Sequence, residues 1–426
     1  MKTSLGVVAT AMALVAAQSS AQDASSWVTT SVNSLAQAEG PWGTQTLLPS
    51  GKVLFVGGGA GADALDAQVY DPAVDAWSYT GLLGTEQYGL GFQTATLLPS
   101  GQVLVAGGVR EIAPYWDGFK FALASAELYD PRTDSWTPTG SMTDRRHHHV
   151  AVALANGTVL VAGGRNDDGP AGANGGPIGE PVATAEVYDP ATGTWASVGA
   201  LPTMPYAESG AVLLPSGKAL VVSVTAEALT EDAQLYDPVA GTWSLTGSLP
   251  ISGFALTLLD SGQVLALDGQ GHAELYNPET GSWNPKGSPS GGGQAALLKS
   301  GKVLVAGDGT VGSAELYDPS TGAWTPTRPL PTRQYGYSTT LLQSGKVLIA
   351  NGIPEADALP SNAVYTEPPP SLLVADAGTA PVISPLTTPS SMSGGGCDST
   401  DGSRCAVLML VLLPLLKTRR TARPGV

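Results

Sequence analysis

The chain has 426 residues, and only 13% of them are charged, about half the usual share of roughly 25%. With 54 Gly, 33 Pro and few helical patterns, it reads as an all-β protein of many turns. Its formal net charge of −16 would repel a polyanion, so nucleic-acid binding is excluded as the main function. The two cysteines, Cys397 and Cys405, both lie near the C-terminus, so the region before them must be held by core packing and sheet hydrogen bonds alone.

At the N-terminus Lys2 precedes an apolar stretch from Leu5 to Ala17 and the small-residue run ending at Ala21. A basic start, a short apolar run and small residues describe a secretory signal over residues 1–21, cleaved after Ala21 or, failing that, after Ala17. A buried N-terminal helix is the other reading of this stretch. No cysteine follows the cleavage region, which argues against lipoprotein processing there.

From residue 22 the chain repeats itself. A Tyr-Asp-Pro-like turn is followed by Trp seven residues after the Tyr in Tyr70/Trp77, Tyr129/Trp136, Tyr188/Trp195, Tyr236/Trp243, Tyr276/Trp283 and Tyr317/Trp324. A second signature, Leu-Leu-Pro-Ser-Gly-Lys-Val-Leu or a variant, has its turn glycine at 51, 101, 157, 217, 262, 301 and 345. Each unit predicts four short strands. In the second unit these are Gln93–Leu98, Gln102–Ala106, Ser125–Tyr129 and Ser135–Pro138, supported by alternation and β-branched content. Strand two is apolar on both faces, as a strand between two packed sheets must be. Four-stranded units at a period of about 40 to 60 residues fit the blades of a β-propeller, in which each sheet is covered by its neighbours and the ring must close.

The counts of the two signatures differ by one. Tyr365 belongs to a seventh unit with no Trp after it, while Trp27 stands alone at the start of the mature chain. The sequence therefore predicts seven blades, the last completed by an N-terminal strand around Trp27 that joins Asn362–Thr366 and removes an open sheet edge. The Val-Leu-Val-Ala-Gly-Gly strand ends (103–108, 159–164), the Glu-Leu/Val-Tyr-Asp-Pro turns and the Thr-Gly-Thr-Trp step (192–195) resemble kelch repeats and the related propeller of the galactose oxidase superfamily. The resemblance covers about residues 23 to 366 and implies an all-β, seven-bladed propeller of kelch type over 22–366. It says little about function, because this fold hosts enzymes, adhesins and scaffolds.

Beyond Glu367 the periodicity ends. Residues 367–396 are a Pro/Ser/Gly-rich spacer. Residues 397–426 hold Cys397, the twelve apolar residues Cys405–Leu416 and a basic end. As a helix, that run would span about 18 Å, short of a hydrocarbon core of about 30 Å. The arrangement resembles the C-terminal sorting domain of myxobacterial surface proteins, which implies transient membrane contact, processing or anchoring at Cys397, and a cell-surface or secreted destination. The Pro414-interrupted run departs from that pattern. A Cys397–Cys405 disulfide or a frayed tail are the alternatives.

The resemblance also frames an enzymatic reading. The copper site of galactose oxidase uses two histidines and two tyrosines, one of them cross-linked to cysteine; with no cysteine in the propeller that cross-link cannot form. The four histidines are His147, His148, His149 and His272. On an extended strand one, His147 and His149 would share a face and could hold copper or zinc, with His148 opposite. The competing reading comes from the resemblance: Arg146 and His149 stand where kelch repeats often carry an Arg-x-x-His pair that packs between blades. Asp268 and Asp308 replace second-strand glycines, either as paired carboxylates or as turn caps. No cofactor is expected.

Asymmetry marks the candidate binding region. Two connections between strands two and three, Val109–Ala124 and Arg165–Ala183, far exceed the others and belong to neighbouring blades. The first carries Arg110, Tyr115, Trp116, Asp117, Phe119 and Lys120. The second carries Asn166, Asp167, Asp168, Asn174 and Glu180, and Arg145 should lie nearby. Aromatic faces beside Asp, Asn and Arg suit a sugar or a protein surface. Asp167, Asp168 and Glu180 could instead hold calcium, or the loops could simply cover the propeller's end. The expected molecule is a monomeric, exported binding module for a glycan or surface protein. The alternatives are an oxidoreductase or carbohydrate-active enzyme with an atypical site, and a structural surface protein with no small ligand.

Overall fold

Strand two of the repeats is buried along its length. All four residues of Val53–Val56, Val103–Ala106, Val159–Ala162 and Val347–Ala350 are buried. Alternate residues of such a strand point to opposite sheet faces, so an apolar run must be covered twice. In the computed structural model the cover comes from neighbouring sheets. The structure describes residues 26–32, 43–57, 67–84, 91–111, 119–166, 168–170, 180–203, 207–224, 231–251, 253–287, 289, 291–307, 312–332, 334–350, 352–354 and 362–368. Residues 1–21, most of the spacer and residues 397–426 lie outside them.

Seven four-stranded antiparallel sheets make the seven blades, and no helix occurs among the described residues. Blade two is Thr94–Leu97, Val103–Ala106, Ala126–Asp130 and Ser135–Pro138, within a residue of the predicted bounds. Blade three is Val150–Ala153, Val159–Ala162, Thr184–Asp189 and Thr194–Ala200. The first strands of successive blades touch in order from blade one to blade seven, and blade seven touches blade one. The ring is closed.

The core is divided among the interfaces. Leu54 and Val56 of blade one meet Val103 and Val105 of blade two. Leu104 and Ala106 then meet Val159 and Val161 of blade three. The same exchange continues around the ring to Leu348 and Ala350 of blade seven, which meet Val53 and Tyr70 of blade one. Each strand two thus gives one pair of side chains to each neighbour, except toward blade seven, where blade one gives Val53 from strand two and Tyr70 from strand three.

The last blade closes as predicted. Ser26–Thr30 pairs antiparallel with Asn362–Thr366, with Trp27 opposite Tyr365. In all seven blades the Tyr and Trp rings lie 4.8 to 5.1 Å apart. Each indole N–H also reaches back into the preceding blade. Trp77 donates to the Ser31 carbonyl, Trp195 to Gly140, Trp283 to Gly247, and Trp27 to Arg328 at 2.8 Å. The tryptophans are therefore interblade ties as well as core side chains.

Candidate functional site

The two long connections do not stay separate loops. Val109–Glu111 and Phe119–Ala122 form a hairpin above blade two, and Asp168–Pro170 from blade three adds a third strand to it. The register sets Asp168 opposite Phe121, Gly169 opposite Lys120 and Pro170 opposite Phe119. Arg110 stands opposite Phe121 from the other side. Three candidate positions, Arg110, Phe119 and Asp168, are thus brought onto one small sheet spanning two blades. Tyr115, Trp116, Asp117, Asp167, Asn174, Asp308 and Cys397 lie outside the described residues. Glu180 pairs with Asn166 in a separate two-stranded sheet at the base of the second connection.

Beside this sheet is a groove of about 380 Å³ lined by Phe121–Ser125 and Arg145. Arg145 is exposed and Phe121 half-buried. A second cavity, of about 300 Å³, lies among the first strands of five blades. Its lining is uncharged, with hydroxyls and amides from Thr44, Gln45, Thr94, Thr96, Gln294 and Ser338.

Arg146, next to Arg145, is fully buried. Its guanidinium donates to the carbonyls of Gly163 and Thr184 at 2.8 and 2.9 Å, to Thr184 Oγ1 at 3.0 Å and to Glu186 Oε1 at 3.1 Å. Glu186, 1% exposed, accepts in turn from the backbone N–H of Thr143 and of Asp144. This ion pair pins the segment entering blade three against that blade's own third strand.

The same device recurs. Glu127 accepts from the Gly84 N–H and Gln234 from the Thr203 N–H. The sequence carries the signal as Glu or Gln two residues before the Tyr of blades one to six, with Ala363 in that place in blade seven. Blade five departs from the pattern: Glu274 is buried, and its Oε2 has no hydrogen-bond partner. Burial raises its pKa above the usual carboxylate value, partly offset by nearby His272.

The glycine pairs ending strand two make room for this segment. A Cβ on Gly107 (φ 63°) would sit 2.5 Å from the Arg146 carbonyl oxygen and 2.7 Å from His149 Cε1. One on Gly164 (φ 92°) would meet the His147 carbonyl oxygen at 2.5 Å. Positive φ and close backbone approach both require glycine here.

The histidines correct the expectation of an alternating strand. Strand one of blade three starts only at Val150, and His148 has φ 52°, so the period of two does not apply. His147 and His148 bring their Nδ1 atoms within 2.5 Å of each other. His149 instead turns to blade two, where its Nε2 bonds Thr94 Oγ1 at 3.0 Å. Burial, with the Arg146 guanidinium and the other two imidazoles, holds its pKa well below the ordinary histidine value. In blade five Asp268 caps its own turn, accepting from the Gln270 and His272 N–H groups and pairing with His272 Nδ1 at 2.5 Å.

With the geometry in place, comparison with known proteins places the fold. The Kelch motif matches residues 146–202, the stretch from the buried Arg146 through blade three. The protein is a seven-bladed β-propeller, and this stretch of it carries a Kelch motif. Human Kelch-like protein 34 is similar to this propeller, at 31% identity over 100 residues, 24% of this chain and 14% of that one. Rattus norvegicus Kelch-like protein 36 is 31% identical over 84 residues, 20% of this chain and 12% of that one. The chain thus aligns with less than a sixth of the length of these relatives. A fungal alcohol oxidase of the AA5 family, solved in complex with copper, superposes with a TM-score of 0.59 at 17% identity. That alignment covers 81% of this chain and 76% of the oxidase, a likeness of fold.

Proposed function

We propose that this kelch propeller is an exported binding module that recognises a glycan or protein partner on the platform above blades two and three. One observation carries the reading: the strand pairing of Asp168–Pro170 with Phe119–Phe121 fuses two loops into a single sheet. A loop that merely covered its own blade has no need of that ladder. A three-stranded platform costs little entropy on binding, and the adjoining groove has the size of small-ligand sites. The Kelch motif supports the binding reading. The N-terminal signal supports export, and the tail supports surface attachment at Cys397.

The test is a screen of the full mature chain on a glycan array, with and without calcium, beside a crosslinking capture of surface proteins. Binding to one sugar class or one protein is expected, weakened about tenfold or more by Phe121→Ala, as for an interface anchor. Unchanged affinity in that variant would remove the platform from the reading. Cys397→Ala should move the protein from the cell surface into the medium; full surface retention would reject anchoring there.

A further inference from the structure

Two bulky residues hold backbone angles that L-amino acids avoid: Phe92 at φ 58° and His148 at φ 52°. The other two such residues among those described, Asp75 and Asp134, stand two positions before the blade Trp, where other blades have Gly193, Gly241, Gly281 and Gly322. That tight turn accounts for them, since Asp tolerates the left-handed region. No turn template accounts for Phe92 and His148. Strain of this kind persists only where the surroundings impose it, and it gathers at functional sites.

The two strained residues meet. The His148 N–H donates to the Phe92 carbonyl at 3.1 Å, and their rings stack with centroids 3.6 Å apart. The backbone of His147 is fixed as well, exchanging two hydrogen bonds with Arg165 at 3.0 and 2.9 Å. The outcome is a pair of imidazoles whose Nδ1 atoms face each other at 2.5 Å. At that separation there is room for one proton at most, so at least one Nδ1 presents a bare lone pair to the other nitrogen.

We propose that His147 and His148 chelate a late first-row divalent cation of the Zn²⁺ kind through these two nitrogens, at the inner corner between blades two and three. Imidazole nitrogen is a preferred ligand for such ions. With Zn–N bonds of about 2.0–2.1 Å, two ligands at a tetrahedral angle stand roughly 3.3 Å apart. The rings need to part by only about 0.8 Å, a small side-chain rotation. Burial of His147 and the Phe92 ring against His148 hold both ligands in place before the ion arrives, which lowers the cost of binding. The remaining positions on the ion are left for water or a donor group of a bound partner. His149, bonded to Thr94, takes no part. Adjacency of the two ligands depends on the left-handed turn at His148, so strand alternation cannot reveal it.

The experiment is a calorimetric titration of Zn²⁺ alone into the full chain and into its His148→Asn variant. Asn tolerates the left-handed conformation, so the backbone is kept while the imidazole is lost. Cys397 and Cys405 are present in both proteins, so any ion they take cancels. The expected result is one site fewer in the variant, or affinity lower by at least about tenfold, the loss seen even for outer-shell changes. The rise in thermal midpoint that Zn²⁺ gives the native chain should also disappear. His272→Ala, remote in the chain, should bind as the native protein does. The proposal is overturned if the native chain shows no saturable binding. It is equally overturned if a folded His148→Asn variant matches the native stoichiometry and affinity.

Discussion

Replacing Trp27 with Ala probes the seam where the ring is closed without a covalent link. Trp27 packs on Tyr365 at 5.1 Å and donates its indole N–H to the Arg328 carbonyl at 2.8 Å. A buried Trp→Ala change costs about 3–5 kcal/mol. Trp27 is only half-buried, so about 2 kcal/mol is expected, of which the hydrogen bond contributes about 1. Trp27→Phe isolates that last part. The comparator is Trp195→Ala, which removes the same Tyr contact and the same kind of tie in blade three. There the strand is continuous with the chain on both sides. The two losses in global stability should be similar, a few degrees in thermal midpoint. Resistance to protease at the N-terminus should fall far more for Trp27→Ala, because a terminal strand can open locally while the rest stays folded. Deleting residues 22–31 should lower the midpoint further and expose Asn362–Thr366 as an unpaired edge. An unaltered midpoint and unaltered proteolysis after that deletion would refute the closure argument.

Three further outcomes follow from the buried polar groups and the turn. Glu186→Ala should destabilise by about 3–5 kcal/mol by leaving the buried Arg146 guanidinium without its main counter-charge, measured by chemical denaturation; a loss below 1 kcal/mol would contradict the pair's role. Glu274→Gln should raise stability at pH 7 by about 1 kcal/mol, because the native carboxyl has an unpartnered buried oxygen. The raised folded-state pKa of Glu274 means its favourable contribution is complete below the unfolded pKa and is lost as pH rises through the folded value. The advantage of Gln should therefore shrink in acid, and a pH-independent difference would refute the assignment. Gly107→Ala should cost more than about 2 kcal/mol, since its Cβ would meet backbone of the Arg146 segment; a neutral effect on the thermal midpoint would show that the segment can shift.

The fold was legible because its signals are local and repeated. A Tyr365 lacking its Trp and a Trp27 lacking its Tyr state the closure in one dimension. The platform was half legible: length singled out the two connections, but the pairing of residue 168 with residue 121 joins loops from different blades, and no pattern within either loop encodes it. The histidine pair was misread because alternation assumes extended backbone. His148 is not a glycine, and in its left-handed conformation it bonds to and stacks on Phe92, outside its own blade. Arg146 stands out through its resemblance to a recurring Arg-x-x-His element, but it bonds within blade three rather than between blades, and its partner Glu186 is visible only once strand three is seen to face the incoming segment.

Because Ser26 and Thr366 are paired in one blade, the described chain begins and ends at the same point on the circumference. Blade three lies three blades away around the closed ring in one direction and four in the other. A tether, fusion partner or solid support attached at either end therefore pulls from a single spot, and the load is borne first by the five-residue ladder beside Trp27. Attachment at both ends would staple that seam shut. The same protein held by one end or by two should differ in how readily it opens.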